Sequence, residues 1–152
     1  MHLGNYLGLV HESEQELAEA LRKVGAHHAD EPDIFQICQL LASWSDQHVQ
    51  QLKPFIKKYS EDRSSEPDKL SRTLFDEPRK GSLALMRDLH DLWLLSNEVE
   101  LCWIVIYQAA MALHDKELEA TCNELSGQTK RQTAWLLTRI KQSAPQSLIV
   151  AA

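Results

Sequence analysis

The amino-acid sequence predicts an all-α domain, an antiparallel four-helix bundle. Three observations carry this. Four segments repeat apolar residues at alternating spacings of three and four, the period of one helix face. Gly and Pro number only five each in 152 residues, too few for a turn-rich β fold. Apolar residues make up 43% of the chain, enough to build a real core and to argue against intrinsic disorder.

The first helix is expected from about Leu3 to Val24, on the stripe Leu3, Leu7, Val10, Glu14, Leu17, Leu21 and Val24. Gly25 to Asp30 ends it. The second is expected from about Pro32 to Tyr59, with Asp30 as its cap and Pro32 in the first turn, where a missing N–H costs little. Its stripe is Ile34, Cys38, Leu41, Ser45, His48, Leu52, Phe55 and Tyr59. Pro54 removes one backbone bond, which predicts a kink or an early end there.

Residues 60–81 form a long polar connection, within which Pro67 to Phe75 reads as a short helix. A connection of this length between the second and third helices suits a bundle with one crossover. The third helix is expected from Ser82, as N-cap, to Leu113. Its stripe runs Leu85, Leu89, Leu92, Ser96, Val99, Trp103, Ile106, Ala110 and Leu113. After a tight turn at His114-Asp115, the fourth helix is expected over Lys116 to Ser143, stopped by Pro145. Its stripe is Leu118, Cys122, Leu125, Thr129, Gln132 and Leu136. The domain thus covers 1–144, and 145–152 is a short tail, expected to pack on the bundle or on a neighbouring chain.

The net charge is −6 and no run of Lys or Arg exceeds two residues. Without a basic stripe the chain lacks the footprint for a nucleic-acid backbone or an anionic membrane. Cys38, Cys102 and Cys122 form no CxxC pair, and each lies in a helical apolar pattern. They read as reduced, buried thiols of a cytoplasmic protein. The first residues lack the pattern of a signal peptide, and the apolar stretch Leu101 to Ala112 is too short to span a bilayer.

Each stripe breaks to polar residues near its middle. Glu14 breaks the first, and Ser45 and His48 the second. Ser96 breaks the third, with Glu100 beyond it. Thr129 and Gln132 break the fourth, with Gln128 on its flank. Antiparallel packing would gather them into one polar core layer. Such layers hold the metal sites of di-metal bundles, where two helices each give a Glu and two give Glu-x-x-His. Residues three apart share a helix face, so both reach one ion.

On this pattern the chain resembles the ferritin-like superfamily, most closely its small bacterial stress-associated branch. The Glu-x-x-His of helix two falls on Ser45-Asp46-Gln47-His48, which keeps His48 but has Ser for Glu. The lone Glu of helix one falls on Glu14. In helix three the motif falls near Glu100, with Trp103 where a second ligand is expected, and the corresponding part of helix four has no His. The resemblance therefore implies the fold with a depleted ligand set. Glu14, His48 and Glu100 are vestigial metal candidates, and Ser45, Ser96, Gln128, Thr129 and Gln132 complete the polar layer. The expected role is non-enzymatic binding or assembly, as a homo-oligomer (a dimer) or with a protein partner, and with no cofactor. The alternative is iron, or another divalent metal, at a reduced site in the core.

Plainer readings stand beside these. His48 reads as a neutral imidazole hydrogen-bonded across the core, and Glu14 as a carboxyl with a structural partner. His27-His28 reads as an exposed loop pair. Trp44, Trp93, Trp103 and Trp135 read as core packing, with indole N–H groups served by the polar layer. No nucleophile elbow, phosphate loop or zincin motif is present.

Overall fold

The computed structural model describes residues 2–60 and 77–150. The described chain forms four long helices and no strand: α1 Leu3–His27, α2 Pro32–Lys58, α3 Ala84–Leu113 and α4 Lys116–Pro145, followed by a π-helical turn at Gln146–Val150. The expected all-α four-helix bundle is the observed architecture. The expected short helix at Pro67 to Phe75 lies outside the described residues.

Helix α1 packs along α2, α3 along α4, and α1 against α3; α2 meets α4 more sparingly. One core runs through all four. It is built from the predicted stripes, with Leu7, Leu17, Leu21, Ile34, Leu52, Leu92, Trp103, Ile106, Leu118 and Leu125 fully buried. Gly25 lets the end of α1 sit close on α2, since a Cβ there would stand 3.1 Å from the Cβ of Cys38.

The helix ends differ from expectation in detail. The N-cap position of α2 is Glu31, not Asp30, and its side chain makes no capping bond. Helix α3 begins at Ala84 behind Leu83, so Ser82 does not cap it. Helix α2 passes through Pro54 for another turn, because the residues after it bury Phe55 and Tyr59 in the core. Pro145 closes α4 without ending the coil. The chain continues as a π-helical turn, and Gln146 N–H donates to Ser143. In that turn Leu148, Ile149 and Val150 are exposed, so these tail residues do not bury themselves on the bundle.

The sharpest local device joins α3 to α4. His114 takes a left-handed conformation at φ 55°, a region that L residues occupy at some cost. Asp115 follows as N-cap, and its Oδ1 accepts from Leu118 N–H at 3.1 Å. Its Oδ2 accepts from Lys58 Nζ at 2.8 Å and from Tyr59 OH at 2.5 Å. One carboxylate thus starts α4 and ties it to the end of α2. Burial alone would raise the Asp115 pKa, but these donors hold it at about 2.

Contacts step down α2 as they step up α4: Tyr59 with Asp115, His48 with Gln128, Ser45 with Gln132, and Asp33 with Arg139. Gly81 and Ser82 line a pocket with Gln142 and Ser143, near the far end of α4. The long connection therefore leaves α2 beside the start of α4 and enters α3 beside its end, about 40 Å away at 1.5 Å per residue.

Replacing Asp115 with Ala removes the cap and both tertiary bonds, and is expected to cost about 1–2 kcal/mol in urea unfolding. Tyr59→Phe, which keeps the cap, costs less. The Asp115 contribution is present above the unfolded carboxyl range, near pH 4, and is lost as pH falls through about 2. Equal costs for the two variants would contradict the capping role.

Candidate functional site: the polar centre of the bundle

Glu14, Ser45, His48, Ser96, Thr129 and Gln132 are all fully buried. Helical spacing explains this, because each replaces an apolar residue in a core-facing stripe. They occupy two tiers about one helical turn apart.

In the first tier His48 joins three helices. Its Nδ1 is hydrogen-bonded to Glu14 Oε2 on α1, and its Nε2 lies 2.7 Å from Gln128 Oε1 on α4. Gln128 is part-exposed, and Glu124, one turn before it, is exposed. The chain of polar groups thus runs from the centre of the bundle to its surface. Burial pushes the Glu14 carboxyl above the ordinary glutamate value, against the opposing pull of His48. Burial alone lowers His48, but bonding to Glu14 and Gln128, with the nearby charge of Glu124, raises it above its ordinary value.

Both shifts make the pair hold its shared proton. With the proton on the ring, both N–H groups donate, one to Glu14 and one to Gln128. With it on the carboxyl, Glu14 donates to Nδ1 and Nε2–H still donates to Gln128. The pair is net neutral in either state, and neither state leaves a free nitrogen lone pair on His48.

In the second tier Gln132 Nε2 donates to Leu41 O at 2.8 Å and to Ser45 Oγ at 2.9 Å. Thr133 Oγ1 donates to Ser96 Oγ at 3.1 Å, and Thr129 Oγ1 to Leu125 O at 2.9 Å. Hydroxyls in these helices thus pair across the core or turn back on their own backbone. Four buried side-chain atoms of the described residues have no hydrogen-bond partner: Glu14 Oε1, Gln132 Oε1, Trp93 Nε1 and Trp103 Nε1. The expectation that the polar layer serves the indole N–H groups therefore fails for Trp93 and Trp103. Trp103 is fully buried, so ring packing there outweighs the cost of an unmade bond.

Glu100 is part-exposed and makes no hydrogen bond or ion pair with Glu14 or His48. Among the described residues no three His, Cys, Asp or Glu side chains are placed to hold a metal ion. The donor set implied by the ferritin-like resemblance does not fit a di-metal centre: Ser45 and Trp103 replace ligands, and both nitrogens of His48 are engaged. Cys38, Cys102 and Cys122 are buried and unpaired, and burial pushes each thiol up to about 12. None has the lowered pKa of a nucleophile.

A second polar cluster lies at the end of the bundle. His28 Nε2 is 2.8 Å from Asp88 Oδ2, and Arg79 binds both Asp88 and Asp91. His28 is mostly buried here and not the exposed loop residue expected, because the first turn of α3 closes over it. A signal was present: Asp88 falls on the core face of α3, directly before Leu89. Arg139, on α4, reaches Asp33 and Glu31 at the start of α2. These groups satisfy one another and fasten the helix ends.

Against protein-family models, characterised proteins and solved structures, the chain has no match.

His48→Ala leaves Glu14 buried without its partner and is expected to cost about 3–5 kcal/mol in urea unfolding. Replacing both with Gln is expected to recover much of that loss. Raised folded-state values mean that the pair's contribution is full below the unfolded Glu value near 4.5 and fades as pH rises, with the His48 share fading above the unfolded His value of about 6.5. Wild-type stability should therefore decline from pH 6 to pH 8, below the thiol range of the unfolded chain, and the double variant should lose that slope. An unchanged slope in the double variant would contradict the assignment.

Proposed function

We propose that this chain is a ferritin-like bundle, antiparallel throughout, whose ancestral di-metal centre has become a hydrogen-bonded polar core. Its role is non-enzymatic binding or assembly, with a second copy or a protein partner. The observation that carries this reading is His48, whose two ring nitrogens are both engaged, by Glu14 and Gln128. A metal ligand needs one of them as a free lone pair. Two further features support it. Ser45 stands at the motif position of a ligand and bonds Gln132. The long connection also joins opposite ends of the bundle, the crossover of ferritin-like folds. Three buried, unpaired thiols fit a cytoplasmic setting, and no helix among the described residues is long and apolar enough to cross a membrane.

One observation favours a second reading. Glu14 Oε1 is buried and has no partner. Iron or another divalent ion, held by Glu14 with His48 turned from its present bonds, would use that oxygen.

Elemental analysis of protein purified without chelator or affinity metal separates the two. The first reading expects far less than one iron, manganese or zinc per chain, and the same trace in His48→Ala. Near-stoichiometric metal that disappears in His48→Ala would establish the second.

A further inference from the structure

Helix α3 carries two apolar faces. One is the core stripe, with Leu92, Val99 and Ile106 buried. Two residues further on, about 200° round the helix, lie Leu94, Leu101 and Gln108. Together with Asn97, Ile104 and Met111 they form a seam at alternating spacings of three and four, the spacing of a helix that packs against another helix. Leu94, Leu101 and Ile104 on this seam are 43%, 60% and 47% exposed. Beside it opens an apolar groove of about 330 Å³, lined by Leu3, Tyr6, Val105 and Leu113 among others. Large apolar groups are also exposed on helices α2 and α4, at Phe35, Leu40 and Leu137, but the run Ile37, Leu40 and Trp44 on α2 spans about two turns, against about five for the α3 seam.

The geometry points to this seam as a homodimer interface, in which α3 of one copy packs against α3 of a second. The inference rests on the assembly reading above and supplies its partner and face. A two-fold interface brings one patch against itself, so it must be self-complementary. From Leu101 to Leu113 the chain carries no charged residue, so two copies meet there without like-charge repulsion. The nearest charges on the helix are Glu98 and Glu100, and the net charge of the chain is −6. That balance disfavours an anionic membrane surface, and the charge-free stretch from Leu101 to Leu113 gives a basic peptide no ion pair along the seam. A standard interface buries about 800 Å² on each partner, a little over half of it apolar, and half-exposed Leu94, Leu101 and Ile104 on the seam, with Tyr6 and Leu113 at the groove, supply apolar side chains for such a contact. A helix that is apolar on both faces is ordinarily covered on both.

Light scattering behind size exclusion, with metal content measured on the same fractions, tests the inference on the full chain. Wild type is expected at twice the 17.4 kDa chain mass. Leu101→Glu with Ile104→Glu is expected at half the wild-type mass, with unchanged helical circular dichroism. Leu40→Glu, at an exposed position on α2, is expected to stay dimeric. Should the double variant lose helix, Leu101→Lys alone repeats the test at the most exposed seam position. A monomeric wild type overturns the interface, whether it stays free or is recovered with phosphatidylcholine vesicles. A dimer that survives in the folded seam variants also overturns it. Stoichiometric metal in a dimer that the seam variants split would support the interface while overturning the metal-free reading of the core.

Discussion

A carboxyl group at the centre of a helical bundle is tolerable only with a partner that shares its proton, and the Glu14–His48 pair is that arrangement. Glu14 and His48 are both fully enclosed. Separately, each would force a charge into the core or give up hydrogen bonds. Together they carry one shared proton and no net charge, and Gln128 takes up the other ring nitrogen. The bond sets α1 against α2, and the Gln128 contact sets α2 against α4. The Ser45–Gln132 contact repeats the second constraint one turn away. Cross-helix polar pairs inside an apolar core favour one helix register, because a slip of either helix would leave more buried groups unpaired.

The fold was legible because its main determinant is periodic. The stripes of α1 and α2 name the buried residues almost individually, down to the polar members Glu14, Ser45 and His48. What spacing cannot show is which polar residue meets which. Gln128 lies on the flank of its stripe, yet it reaches His48, whereas Glu100, also beside its stripe, stands apart. The partner of Gln132 includes a backbone carbonyl, at Leu41, which carries no sequence signature. Helix ends were also less legible. Ser82 and Asp30 are good capping types, but tertiary bonds fix these termini: Asp88 and Asp91 through Arg79, and Asp33 through Arg139. The Asp115 cap works because it also meets Lys58 and Tyr59, more than fifty residues away in the chain.

The ferritin-like resemblance and the geometry describe the same centre in different terms. The resemblance locates where ligands would stand. In the structure those positions hold a Ser bonded to Gln, a buried Trp and a His bonded on both sides. On the proposed reading, hydrogen bonding has taken the place of coordination there, and function is left to the surface. Helix α3 then matters most, since its outward seam has the composition of a core without a cover. On that reading the enclosed polar core fixes the bundle and the apolar seam pairs it with a second copy.

The central claim is that both nitrogens of His48 are committed to protein partners. Nitrogen-15 NMR of the imidazole rings, recorded before and after addition of Zn²⁺, addresses it directly. The account predicts that His48 shows two hydrogen-bonded ring nitrogens whose shifts ignore the metal, while exposed histidines such as His90 respond to it. A His48 nitrogen that moves to a metal-bound shift as the Glu14 bond breaks would contradict it.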